Sequence, residues 1–566
     1  KPSSAASDVY KRQLIALFQQ GNLFPGFEIY NQYKSLSLQR MDWALDYLDD
    51  IPDLHSKQKY YSDRTEMDWE KTDSHLEETW KKLITSEFLN ETLSQLDLNS
   101  SSPIEEDGYP DLLEESREIL VKRYKRWKKN IMEFESGDVQ ELYLTTFTQM
   151  FDPHTTFMNI KEKEKFDQAM NNEFVGIGAV LSDVDGYCTI KELLPGGPAE
   201  ASRELEPEDI ILKVAQSEGS FVDVVDMKLS KIVDLIKGPK DTLVRLEIRP
   251  GSNPKTSKVV GIVRDKIKLT ANLASGKVFE VRHNESVRML GVVELPSFYG
   301  STGDGHKATD DVEEIIEKFK QNEVEGIVLD LRRNGGGYLS EAVNLAGLFI
   351  SRGPVVQVKS TDGNIRKKFD FDPKLSWNGP LAILVSRFSA SASEIVAGAL
   401  QNHKRAIIIG DPSTHGKGTV QSLIQMNLPF NFFSDHNKKS AAKITIQKYY
   451  LPSGKSTQIS GVDSDISMPT INVFRPIGES DLEYALECDS IPPVKFRRPP
   501  QEFSYKDSTL QQLSKYSMER QSSLEEFSYL NESVNWFQEK QQEKSETLNL
   551  EERIKLKHLN LSLIHI

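Results

Sequence analysis

Cysteine is almost missing from this chain. Its two copies, Cys188 and Cys488, stand 300 positions apart with no CxxC spacing, which argues against a disulfide framework and against a zinc knuckle. The ten histidines include no HExxH, so a metal cofactor finds no support in the pattern. No apolar run approaches the roughly 18 to 20 residues that a membrane-spanning helix needs, and an anchor upstream of this sequence is left open. A basic excess is also lacking. The net charge is −15 with no long Lys/Arg cluster, which excludes nucleic acid as the expected partner. Short basic pieces such as Lys122 to Lys129 sit among glutamates and read as solvated helix faces.

The two ends are set aside. Asp8 to Gln13 (DVYKRQ) and Leu561 to Ile566 (LSLIHI) translate one DNA oligomer, GATGTGTATAAGAGACAG, and its reverse complement. That is the pattern of a sequencing adapter at both ends of an assembled read, so residues 1–13 and 561–566 are excluded from fold reasoning. The gene is expected to extend both ways, and the lack of a signal peptide carries no information.

From residue 14 to 165 the text is charged and helix-forming, with apolar residues at helical spacing such as Met41, Leu45, Leu48 and Ile51; this predicts an all-helical domain. Residues 166–265 change character. Val175 to Leu181 and Tyr187 to Ile190 read as strands about the turn pair Asp185-Gly186. Asp209 to Val214 and Leu243 to Ile248 read as further strands, with a helix over Met227 to Ile236. From 266 to 480 strands alternate with helices: Gly326 to Leu331, Ser340 to Ile350, Leu381 to Val385, Ser391 to Asn402 and Ala406 to Gly410. Continuous apolar strands between helices indicate a sheet covered on both faces. Residues 481–560 turn polar again, with Arg497 to Pro500 (RRPP) as a linker and Gln501 to Lys557 either helical or disordered. The expected architecture is multidomain, α/β and α+β.

Arg387 to Gly398 (RFSASASEIVAG) places three serines between a strand and a helix, where α/β folds expose functional groups. Helix capping is the plain reading, because Glu394 follows Ser391 by three residues in a capping box. A nucleophile would need a base. His403 and His415 lie nearby in sequence, with Asp330 or Asp411 to orient one of them. Lys417, between Gly416 and Gly418, offers a second solution: a strand would put Lys417, Thr419 and Gln421 on one face, and burial would hold the amine neutral. Gln421 could position that amine without recharging it. A phosphate loop does not fit, since five residues separate Gly410 from Gly416 and Gly418 stands where Ser or Thr should be.

Arg387 to Gly398, Gly410 to Gln421 and Asp330 to Gly337 (DLRRNGGG) together resemble the carboxy-terminal processing proteases, in their tail-specific branch. The likeness runs from Phe151 (FDPHTTF) through Gly176 to Leu181 (GIGAVL) and Thr445 to Tyr449 (TIQKY) to Pro469. It implies Ser391 as nucleophile, with Ser393 next in line, Lys417 as general base and Gln421 as its orienting residue. The segment Gly-Asp-Pro-Ser-Thr-His-Gly-Lys is one residue longer here than is usual in the family. The oxyanion donors implied are the amides of Ala392 and Gly337, with Gly336 left open.

Residues 166–265 resemble a PDZ domain. In that likeness Val175, Gly176, Ile177 and Gly178 form the loop whose N–H groups take a substrate's terminal carboxylate. The family implies a serine endopeptidase without metal or organic cofactor, acting on proteins with free, apolar C-termini in a periplasmic or other extracytoplasmic compartment of a bacterium. An adaptor protein is left open. The competing reading is a catalytically inactive, PDZ-containing peptide-binding scaffold.

Overall fold

The computed structural model describes residues 4–65, 67–96, 109–253, 255–283, 286–300, 305–426, 439–496 and 503–564. The expected linker Arg497 to Pro500 lies outside the described residues, as do residues 1–3 and 565–566 of the two set-aside ends. The chain divides into two compact units. One comprises 1–150, 469–475 and 518–566, the other 151–468 and 476–517.

The first unit is built from helices whose apolar stripes meet in one core. Met41 and Ala44 of Phe24–Tyr47, Ile84 and Phe88 of Asp73–Gln95, and Leu120 and Tyr124 of Tyr109–Met132 are buried together. Thr72 starts the middle helix by accepting the His75 N–H at 3.2 Å, satisfying one of the free amides of a first turn. The basic stretch Lys122 to Lys129 is mostly solvated, and Arg123 pairs with Glu91 at 2.6 Å. One expectation needs correction. This unit is not all helical: His55–Tyr61 and Ser545–Asn549, far apart in the chain, pair as an antiparallel ribbon. HSKQKYY is polar and lacks β-branched residues, so only its distant partner makes it a strand. The described residues of the C-terminal stretch form helices Asp507–Ser523, Glu525–Gln542 and Leu550–Ile564. Among the described residues no helix is long and apolar enough to cross a membrane.

The second unit holds a β-rich module and an α/β core. In the module, Ala179–Val184, Tyr187–Leu193, Ile210–Gln216, Leu243–Arg249 and Lys258–Val263 form an antiparallel sheet. Helix Leu229–Ile236 buries Ile232 and Ile236 in the same core as Ile190, Val214 and Leu246. The run expected as one strand from Val175 to Leu181 is two. Glu173–Gly176 pairs with Asp265–Lys268, and the chain turns at Ile177 and Gly178 before the next strand begins at Ala179. Gly178 has φ +80°, a conformation that suits glycine.

The core sheet runs in the order Ser275–His283, Ser286–Glu294, Gly326–Asp330, Leu381–Val385, Ile407–Gly410, Ile466–Ser467, and is parallel from its second strand onward. Ile327, Leu329, Ile383, Val385 and Ile408 are buried against helices Ala308–Gln321, Leu339–Gly347 and Ala392–Asn402, while the alternate residues of the opposite face are mostly half-buried. A second sheet, not expected from the sequence, orders Ile365–Asp370, Gly353–Ser360, Ala441–Tyr450 and Thr419–Gln425, and Thr156–Met158 adds to Ala441–Tyr450. The serine junction leaves the first sheet, and the strand after Lys417 belongs to the second.

Ile383, fully buried in the central strand, sets a check on this core. Ile383→Ala should cost about 2–5 kcal/mol, read as a lower urea midpoint by fluorescence of Trp377, which packs in the same cluster. An unchanged midpoint would contradict the packing described.

Candidate active site

Strand Leu381–Val385 ends in a turn that leads into helix Ala392–Asn402, and the three serines of this junction have different surroundings. Ser389 is 0% exposed; its hydroxyl donates to the Leu331 carbonyl at 2.7 Å and accepts from the Ser386 N–H at 2.9 Å. Ser393 is likewise 0% exposed and donates to the Asn334 carbonyl at 2.8 Å. Both hold the turn to the glycine loop. Ser391 is the one that lines a cavity of about 360 Å³. It adopts φ 56°, ψ −111°, a strained backbone for a residue with a side chain, costing on the order of 1–3 kcal/mol.

Lys417, Thr419 and Gln421 line the same cavity. Lys417 sits just ahead of strand Thr419–Gln425, whose register against Ala441–Tyr450 shifts between Val420 and Gln421, with Ile446 of the partner strand as the extra residue. Among the described residues the Lys417 ammonium has no hydrogen bond or ion pair. Burial pushes its pKa down to about 8, helped by the charge of Lys443 and opposed by Glu479, Glu394 and Asp152. Lys443, also lining the cavity, is pushed down by burial as well. Two amines in one enclosed space disfavour each other's charged form.

The histidines do not serve as partners of Ser391. His403 is buried with Nε2 at 2.9 Å from the Pro354 carbonyl. The His415 main chain donates to Ser389 at 3.0 Å while its ring faces Glu479. Of the proposed orienting acids, Asp330 pairs with Arg332 at 2.6 Å and Asp411 accepts the Arg387 N–H at 2.8 Å.

The glycine loop reaches the serine from the opposite side. A Cβ on Gly336 would stand 2.8 Å from the Ser391 Cβ, and one on Gly337 would stand 2.3 Å from the Phe298 carbonyl oxygen; their φ values are +109° and +147°. Only glycine fits this approach. The Gly336 N–H is committed to Asn334 Oδ1 at 2.9 Å. The amides of Gly337 and Ala392 have no acceptor among the described residues, and both residues line the cavity.

Glu394, read from the sequence as a cap, does more. It is 0% exposed. One oxygen accepts from the Ser391 N–H at 2.7 Å and the Lys417 N–H at 3.0 Å; the other accepts from Thr414 Oγ1 and the Gly416 N–H, both at 2.7 Å. Burial pushes its pKa up to about 7 against these bonds. Tyr449 lies behind, its hydroxyl facing the carbonyls of Lys417 and Ser391. Sequence reasoning also passed over Asp152, His154 and Glu479. His154 Nε2 meets the fully buried Glu479 at 2.8 Å, and Gln458 links Glu479 to the Gly418 N–H. The FDPHTT stretch was the available signal, but nothing in its spacing ties it to residues some 300 positions later.

Four family descriptions match the chain: the tail-specific protease N-terminal domain over residues 5–161, the PDZ domain over 165–249, peptidase family S41 over 289–468, and the C-terminal domain of tail-specific protease over 474–561. The tail-specific protease of Haemophilus influenzae is 34% identical over 544 residues, which span 96% of this chain and 74% of that protein. The chain belongs to the tail-specific proteases. It is a serine-type peptidase of the C-terminal processing class, with a helical N-terminal region, a PDZ domain, an S41 core and C-terminal helices. A CtpA-like serine protease of Staphylococcus epidermidis is 32% identical over 324 residues, or 57% of this chain and 59% of its own length. Among solved structures, the photosystem II D1 C-terminal processing protease is 23% identical, covering 64% of this chain and 93% of that one with a TM-score of 0.34. The PDZ domain of a carboxy-terminal protease from Vibrio cholerae is 46% identical over 17% of this tail-specific protease and 99% of that chain, with a TM-score of 0.17.

Glu394→Gln would turn an N–H toward main-chain donors and leave one of them unpaired in the interior. It should lower proteolysis by roughly ten- to a hundred-fold through misplacement of Ser391 and Lys417, with far-ultraviolet circular dichroism unchanged. Full activity in this variant would show that the carboxylate does not set the site.

Proposed function

We propose that this protease captures unfolded proteins by a free, apolar C-terminus and cuts them internally with Ser391 as nucleophile, Lys417 as general base and Gln421 as the residue that orients the base. What carries the reading is the Lys417 amine: enclosed, without a counter-ion among the described residues, and pushed down to about 8 beside a strained serine. A neutral amine accepts the Ser391 proton as the oxygen attacks the scissile carbonyl. The oxyanion meets the open amides of Ala392 and Gly337. The ammonium then returns the proton to the departing amine, and water repeats the sequence on the acyl-enzyme.

Substrate capture falls to the PDZ domain. In the Ile177 to Gly178 turn neither amide has an acceptor among the described residues, and the turn leads into strand Ala179–Val184, against which an extended tail can add as a strand. Val175 and Gly176 support this turn from within the strand paired to Asp265–Lys268. Bacterial tail-specific relatives support an extracytoplasmic, periplasmic setting, and an adaptor that delivers substrates fits the same reading.

Ser391→Ala should abolish cleavage of a tailed reporter. Because the base works uncharged, the wild-type rate should rise about tenfold per pH unit below pH 8 and level off above it; a rate falling across this interval would reject Lys417 as base. Amidating the reporter's C-terminal carboxylate should slow cleavage at least tenfold, and an unchanged rate would reject carboxylate capture.

A further inference from the structure

Gln421 can face the cavity with either end of its amide, and the two ends act oppositely on an amine. Its neighbours decide which one. The Asp152 carboxylate only accepts hydrogen bonds. Thr445 Oγ1 lies 2.8 Å from Asp152 Oδ1, which commits the single hydroxyl proton. The Thr445 oxygen then has only lone pairs to offer the Gln421 atom 3.1 Å away, so that atom is Nε2. The second Nε2 proton goes to Thr419 Oγ1 at 2.9 Å. Both N–H bonds are taken, and Oε1 is the end left for the cavity.

Asp152 is itself held in place. Its Oδ1 accepts from the main-chain N–H of His154 at 2.9 Å and of Thr155 at 3.1 Å, and Oδ2 accepts from the Thr155 hydroxyl. Thr155 Oγ1 in turn accepts the Thr445 N–H at 3.1 Å. The turn is thus tied to the strand at two points, one on the Thr445 main chain and one on its side chain.

We propose that Asp152 and Thr445 are positioning residues for the peptidase reaction, fixing the Gln421 amide with its oxygen toward Lys417 through a one-directional chain of hydrogen bonds. This rests on the reading of Ser391, Lys417 and Gln421 given above. An amide oxygen accepts one N–H of the neutral amine and leaves the nitrogen lone pair for the serine proton. A reversed amide competes for that lone pair. The oxygen also favours the ammonium formed as the serine is deprotonated. Other groups around Lys417 are Lys443 on the same strand as Thr445, Glu394 on the serine helix, Glu479, His415 and Asp152 itself; of these, only Asp152 bonds to the Thr445 side chain, and in Thr445→Val it loses that one donor while keeping those from His154 and Thr155.

The test is Thr445→Val in the full chain, with kcat and KM measured on a tailed reporter across pH. We expect kcat to fall roughly ten- to a hundred-fold at nearly constant KM, and the acid limb of the profile to move to lower pH, because the amide oxygen is no longer held toward the amine to favour its ammonium form. Thr445→Ser restores both. Gln421→Leu gives a similar loss, to which Thr445→Val adds nothing. Loosened packing would admit water and move the limb upward, so an upward or absent shift overturns the proposal, as do losses that multiply in the double variant. Activity surviving Ser391→Ala would remove the dyad and this chain of bonds together. An inactive Ser391→Ala alongside an unaffected Thr445→Val rejects the positioning role alone.

Discussion

One fully buried carboxylate carries both halves of the site. Glu394 accepts from the main chain at Ser391 and at Lys417 on one oxygen, and from Thr414 and Gly416 on the other. Such a group is costly in the interior unless its oxygens are bonded. The four donors offset that cost only while the loop Asp411 to Gly418 and the start of the serine helix keep one mutual arrangement. The separation of hydroxyl and amine is therefore referenced to a single side chain, and a shift of either loop leaves a buried charge short of donors.

The same interior shapes the amine. Around Lys417 the carboxylates of Glu394, Glu479 and Asp152 are each occupied by other donors, so they favour its charge from a distance without pairing with it. Burial and the Lys443 charge prevail, and the pKa falls to about 8. A direct ion pair would have raised it and kept the amine charged. Ser391 adds backbone strain, and the glycine loop adds a close approach that no side chain permits. These are local costs borne by a large core, with the Ile327, Leu329, Ile383 and Val385 layer beneath.

Elements with a short-range signal were legible. The alternation of apolar strands and helices gave the core sheet from Gly326 to Gly410 nearly residue by residue, and Gly-Lys-Gly followed by alternating residues put Lys417, Thr419 and Gln421 on one wall. Other features had no such signal. HSKQKYY does not look like a strand until Ser545–Asn549 lies beside it. The second sheet joins Thr156–Met158, Gly353–Ser360, Ala441–Tyr450 and Thr419–Gln425, whose pairing depends on contacts across most of the chain. The break at Ile177 and Gly178 interrupts an apolar run that periodicity alone cannot divide.

The sequence by itself determined which chemistry was available: a serine at a strand-to-helix junction, a lysine between glycines, a glycine loop, no metal ligands in a known spacing, and the order of motifs that marks the family. Tertiary structure alone decided which of three serines meets the cavity, because burial and hydrogen bonding of Ser389 and Ser393 are properties of the loop packed against them. It also recast Glu394 from a helix cap to the tie between two loops, and brought Asp152 to Thr445 across nearly 300 residues. Hydrogen-bond direction and desolvation depend on what surrounds an atom in space, and a linear text does not contain that.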